Sequence, residues 1–179
     1  MTIQRLHWGC GQITPYGWVN SDIMAHPGVD VVADIRRGLP LPDGYFDYIV
    51  SLHALPELTY PEQEPALREL KRLLKPGGVL RLGLPDMNKA IQAYLSKDVD
   101  YFLVPDDHAA TISGKMIVQL TWYGLCRCMF TTEFTAELLR RAGFRDIAPC
   151  TFRQTHSEYP GIVELDNREL ESFFIEARK

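Results

Sequence analysis

No Lys/Arg-rich block, no long apolar run, no internal repeat and no low-complexity tract appears in these 179 residues. Each absence removes a class of function. The chain carries 23 acidic residues against 19 Lys and Arg, a net charge of -4, so there is no electrostatic case for a nucleic-acid partner. Arg36-Arg37 and Arg140-Arg141 are isolated pairs, read as solvated faces. No apolar run approaches the ~18 residues of a spanning helix, and a strand pattern begins too early for a signal peptide. Cysteine is scarce. Cys126-Arg-Cys128 has the wrong spacing for a zinc knuckle, and with Cys10 and Cys150 it offers no disulfide framework. Reduced thiols, a cytoplasmic location and no metal are the expectation.

The chain does have enough apolar residues, 46%, to build one core, and its length suits a single domain over 1–179. Short apolar segments at Leu6–Trp8, Trp18–Ser21, Val29–Ala33, Phe46–Ser51 and Val79–Leu84 read as buried parallel strands. The stretch Gln12–Gly17 between the first two is too short for a crossover helix and holds a single turn at most. Glu62–Leu74 is the clearest helix, with Leu67, Leu70 and Leu74 on one stripe and Lys75-Pro76-Gly77-Gly78 as its stop. A second helix starts at a Thr131 or Thr132 cap and ends before Gly143. Phe144–Thr151 and Phe173–Arg178 are expected as an antiparallel pair closing the sheet edge, with Ser157–Asn167 between them loop-like and mobile. The segment 86–130 breaks the alternation. It lies after a strand's carboxyl end, so it reads either as a lid or acceptor pocket or as cover for a sheet face.

Chemistry concentrates at the first turn, Leu6-His7-Trp8-Gly9-Cys10-Gly11. Two glycines let the backbone pass close to a ligand, since no Cβ intervenes and positive φ is allowed. Asp22 and Asp34 follow at the carboxyl ends of the next strands, where open α/β sheets bind ligands. They can take ribose hydroxyls and an adenine edge. Plainer roles are a strand-to-loop turn for Gly9 and Gly11, a solvated cap for Asp22 and a helix cap for Asp34.

Taken together these elements resemble a class I S-adenosylmethionine (SAM)-dependent methyltransferase of the methyltransferase type 11 family. The likeness rests on Leu6–Gly11, on Asp22, on Ala33-Asp34-Ile35, on Leu39–Ser51, on Leu73-Leu74-Lys75-Pro76-Gly77-Gly78-Val79-Leu80 and on Leu138–Phe144. It implies an α/β Rossmann-like fold: a mostly parallel seven-stranded twisted sheet, helices on both faces and an antiparallel C-terminal pair. It implies SAM as cofactor and a small-molecule or glycan-like acceptor. The implied cofactor residues are His7, Gly9, Cys10, Gly11, Asp22, Ile23, Asp34, Ile35, Ser51 and His53. The chain departs from the family pattern in three places: His7 stands where an acidic residue is usual, no third glycine follows Gly11, and Pro56 interrupts the run after the fourth strand.

Methyl transfer from a sulfonium needs alignment first, and a base only when the nucleophile must lose a proton. His53 is the candidate base, with a pocket-lining role as its alternative. Trp122 and Tyr123 are acceptor-pocket or core residues, and His108 with Asp106 and Asp107 reads as solvated. Two rivals remain at this level: a binding protein that holds SAM or its demethylated product without turnover, and a nicotinamide-dependent oxidoreductase.

Overall fold

Alternation along the strands sorts side chains onto two faces of one sheet, and the two faces are covered differently. The computed structural model describes residues 3–179. Its strands are β1 (Arg5–Trp8), β2 (Val19–Asp22), β3 (Val31–Val32), β4 (Phe46–Leu52), β5 (Leu74–Pro85), β6 (Arg145–Cys150) and β7 (Ser172–Arg178), in the order β3-β2-β1-β4-β5-β7-β6. β1 to β5 run parallel, and β7 is antiparallel to both β5 and β6. The strand order reverses between β1 and β4, so a crevice opens at their carboxyl ends.

The helices are α1 (Tyr60–Leu73), α2 (Met87–Ser96), α3 (Ile112–Thr121) and α4 (Thr132–Arg141). α1 begins two residues before the expected Glu62, because Thr59 and Glu62 form a capping box in which the Glu62 carboxylate accepts from the Thr59 amide at 2.7 Å. It hands over directly to β5 at Leu74, five residues earlier than the apolar run indicated. Thr131 caps α4, its hydroxyl accepting from the Phe134 amide. β3 is shorter than expected because Asp30 turns its carboxylate onto the Asn20 amide at 2.8 Å. α1 and α4 cover the first face, burying Leu67, Leu70, Leu138 and Leu139 against Leu6, Ile49, Leu80 and Ile175.

The second face lacks such helices. Right-handed crossovers would set the helices after β1 and β2 there, opposite those after β4 and β5. Both of those connections are irregular, as the short Gln12–Gly17 link requires. The segment between β6 and β7 takes over their work. It crosses the sheet with a single 3-10 turn at Pro160–Val163, and Ile162 and Leu165 pack on Trp18, Tyr48, Val50 and Val79. The expectation of a mobile 157–167 is thereby corrected: the segment is irregular, yet Ile162 is 0% exposed.

A buried charge network ties this segment down. Arg81 of β5 is 0% exposed. Its Nε and Nη2 donate to Asp166 at 2.8 and 2.5 Å, and its Nη1 donates to Glu176 of β7 at 2.7 Å and to the Gln154 carbonyl at 3.0 Å. The second Asp166 oxygen also accepts from the Arg153 amide at 2.8 Å. Removing one member of such a network leaves its partners buried and unpaired, a cost of about 3–5 kcal/mol. Arg81→Ala is therefore expected to lower the thermal midpoint by on the order of 10 °C. The triple exchange Arg81→Met, Asp166→Leu, Glu176→Leu is expected to recover most of that loss in the same melting experiment.

Candidate cofactor and acceptor site

The chain leaves β1 at Trp8 and turns through Gly9 (φ +68°) and Gly11 (φ +53°). A Cβ at Gly9 would stand 2.2 Å from the Ala54 Cβ, so no other residue fits there. Gly9 and Cys10 both donate to the Ser21 carbonyl, at 2.8 and 3.1 Å, which pins the loop to β2. A Cβ at Gly11 would meet nothing within 4 Å. The backbone there is bare and open. Burial, helped by the Asp22 charge, pushes the Cys10 thiol up to about 11. It is a neutral wall atom and no nucleophile.

Asp22 accepts from the Gly11 amide at 2.8 Å through Oδ2 and from the Met24 amide at 2.9 Å through Oδ1. Each oxygen keeps a lone pair for a further donor. Asp34 is committed differently. It caps the 3-10 turn Ile35–Arg37, accepting from the Arg36 amide at 3.0 Å and from the Arg36 Nε at 2.8 and 2.9 Å. The Arg36 guanidinium holds the Asp34 carboxyl below its ordinary range. The capping role and the place in the cleft wall thus coexist.

These elements enclose a cleft of about 640 Å³ at the carboxyl ends of β1 to β4, well inside the roughly 300–1,000 Å³ typical of small-ligand pockets. Its walls include His7, Gly9, Cys10, Gly11, Asp22, Ile23, Asp34, Ile35 and His53. Ser51 is not among them. It lies inside β4, 1% exposed with an unpartnered hydroxyl, and the cleft wall passes to Leu52 and His53 at the strand's end. Glu57, Arg127 and Arg168 also reach the wall. Glu57 stood within the run after β4, whereas Arg127 and Arg168 arrive from distant segments with no local signal.

Both histidines are neutral at pH 7. Burial depresses His7 to about 4, and its Nδ1 lies 3.0 Å from the Ile13 carbonyl. That nitrogen must be the donor, which leaves Nε2 as an acceptor. His53 adopts φ +59°. Its Nε2 lies 2.7 Å from the Ser172 hydroxyl, and its Nδ1 faces the Arg168 guanidinium at 3.5 Å. Desolvation, reinforced by that cation, lowers it to about 3. A ring nitrogen so placed is a poor proton acceptor, which favours the pocket-lining alternative for His53 over the base.

A second, smaller cavity of about 110 Å³ adjoins the cleft. His53, Glu57 and Arg168 line both. Its far wall comes from the 86–130 insertion: Ala90 of α2, Gln119 and Leu120 of α3, and Tyr101, Trp122 and Leu125 around them. Trp122 therefore lines this cavity, whereas Tyr123 bonds to His108 at 2.8 Å. Asp106 pairs with Lys115 at 2.8 Å. The open glycine backbone, the free lone pairs of Asp22 and the cleft volume fit a bound nucleoside of the SAM type.

The neutral histidines set the acid stability. Their folded values lie below the ordinary 6.5, so the unfolded chain binds protons first as pH falls. Stability present above pH 6.5 is lost on acidification toward 4, at about 1.4 kcal/mol per pH unit for each histidine. Melting curves between pH 7.5 and 4.5 are expected to show this decline, and His7→Gln to remove roughly half of its slope.

A model of the methyltransferase domain family, type 11, matches residues 19–82. Over 91 residues the chain is 44% identical to the ubiquinone/menaquinone biosynthesis C-methyltransferase UbiE of Yersinia enterocolitica, covering 51% of this chain and 34% of that one. Its counterpart in Serratia proteamaculans is 35% identical over the same share. The match thus spans about a third of the length of these curated relatives. Among solved structures, a SAM-dependent methyltransferase from Archaeoglobus fulgidus superposes with a TM-score of 0.62 at 14% identity, covering 99% of this chain and 86% of that one. One from Thermotoga maritima gives 0.60 at 21% identity, covering 98% and 82%. The solved structures share the sheet order already described, so the chain has the class I SAM-dependent methyltransferase fold, and its residues 19–82 match the methyltransferase type 11 domain.

Proposed function

We propose that this chain binds SAM in the larger cleft and catalyses transfer of its methyl group to a small-molecule or glycan-like acceptor held in the adjoining cavity. The observation that carries the reading is the junction of the two cavities at His53, Glu57 and Arg168. A donor on one side and an acceptor on the other meet there, and alignment of the two is the main requirement of the reaction. Bound SAM would supply an activated methyl carbon, and the residues at the junction would align it with the acceptor.

The chain's own residues divide the remaining work. Asp22 takes the ribose hydroxyls on its free lone pairs. The bare Gly9–Gly11 backbone allows close approach, and Ile23 and Ile35 offer apolar flanks to the base. His7, neutral and with Nε2 free to accept, receives an ammonium hydrogen where the family usually has a carboxylate. Ser172 and Arg168 hold the His53 ring across the junction. Glu57, the remaining junction residue, is the group with capacity to take a proton, since desolvation and the nearby Asp22 charge raise its carboxyl above the ordinary value.

The family match ends at residue 82, before the 86–130 insertion that walls the acceptor cavity. The acceptor is therefore read from this chain's residues and not from the C-methylation named for its relatives.

Calorimetry with SAM and with S-adenosylhomocysteine tests the reading. Both are expected to bind, and Asp22→Asn to weaken each by about 1–3 kcal/mol while the thermal midpoint stays near that of the parent. Absence of binding to either compound at millimolar concentration removes the proposal.

A further inference from the structure

Glu171, the residue before β7, is 6% exposed, and among the described residues its carboxylate forms no short hydrogen bond. Its one charge partner is Arg168 at 3.6 Å, and the Arg168 side chain is 44% exposed against 8% for Glu171. Burial pushes the Glu171 carboxyl up, against the pull of that guanidinium. A carboxylate sunk this deep with a single long ion pair is costly to keep ionised, and buried polar groups in folded proteins are normally more fully satisfied. Glu171 lines the 110 Å³ cavity. A donor supplied by a ligand in that cavity would complete it.

The rest of the cavity narrows the class of ligand. Three carboxylates, Glu57, Asp86 and Glu171, line it against the single guanidinium of Arg168, and His53 adds no charge. Such a lining attracts a cation and repels an anion. The aromatic wall suits the same charge: Arg168 already sits 5.7 Å from the Trp122 ring centre, and a cation is favoured over such a face. Ala90, Leu120 and Leu125 supply the apolar remainder. The volume is small against the roughly 300–1,000 Å³ of drug-sized sites, so it admits a ring or short chain with one polar end.

We propose that this cavity recognises a protonated amine on the methyl acceptor, with Glu171 accepting the ammonium hydrogens and Trp122 walling the charged end. The inference rests on the methyltransferase reading above and adds the acceptor's charge class to it.

The test titrates protein saturated with S-adenosylhomocysteine with three probes of one shape: benzylamine, benzyl alcohol and benzoate. Benzylamine is expected to bind at least tenfold more tightly than benzyl alcohol, and benzoate to give no detectable heat. Glu171→Gln, which mimics the protonated acid, is expected to weaken benzylamine at least tenfold while S-adenosylhomocysteine affinity stays within twofold. Leu120→Trp, which fills the cavity from α3, serves as a second variant and is expected to abolish benzylamine binding alone. Equal binding of the alcohol or the acid, no binding of any probe, or an unchanged affinity in Glu171→Gln overturns the inference and leaves the cofactor reading standing. Failure to bind S-adenosylhomocysteine at all overturns both.

Discussion

The contact of Arg81 with Asp166 and Glu176 is the constraint on which the rest of this structure leans. A small α/β sheet with no helices after β1 and β2 leaves one face bare, and bare apolar strands do not stay folded in water. The β6–β7 segment closes that face with few apolar side chains of its own, Ile162 and Leu165 foremost. Its backbone is irregular, so it cannot satisfy itself as a helix would. The guanidinium supplies the missing donors: one planar group binds two carboxylates and the Gln154 and Thr151 carbonyls, and so joins β5, β7 and the covering segment at one point.

That anchoring has a consequence at the other end of the segment. Two residues beyond Asp166 the chain reaches Arg168, at φ +58°, and then Glu171. Both face the ligand cavities. The same segment that stands in for the crossover helices therefore carries the charges that lie across the cavity junction. Structural and functional roles are coupled through a stretch of about twenty residues.

The two halves of the site are built on different principles. The larger cleft is mostly backbone: a glycine turn, an aspartate that ties loop to strand, and a neutral histidine locked to a carbonyl. Such a site is held by neighbours in sequence and by adjacent strands, so it is rigid and recognisable. The smaller cavity is assembled from side chains that meet only in three dimensions. His53 and Arg168 are 115 residues apart in sequence, and the cavity wall opposite them belongs to a separate small cluster of Ala90, Ala93, Tyr101 and Phe102.

This difference decides what was legible. Alternating apolar residues, the Gly9–Gly11 turn, the caps of α1 and α4 and the strand-end acids are short-range patterns, each with a local physical cause, and the sequence by itself determined the sheet, its two covering helices and the cleft. Ser51 lies inside β4 and Leu52 and His53 reach the cleft wall, because the point where β4 ends depends on its pairing with β5. The capping role of Asp34 was readable as an alternative, but its coexistence with the cleft wall was not. The tertiary structure alone decided that residues 152–170 cover a face, that His53 is desolvated beside Arg168 and that Glu171 is buried with only a long ion pair to Arg168. Those outcomes arise from contacts across a hundred residues or so, where burial and charge are set by which segments meet and not by any pattern along the chain.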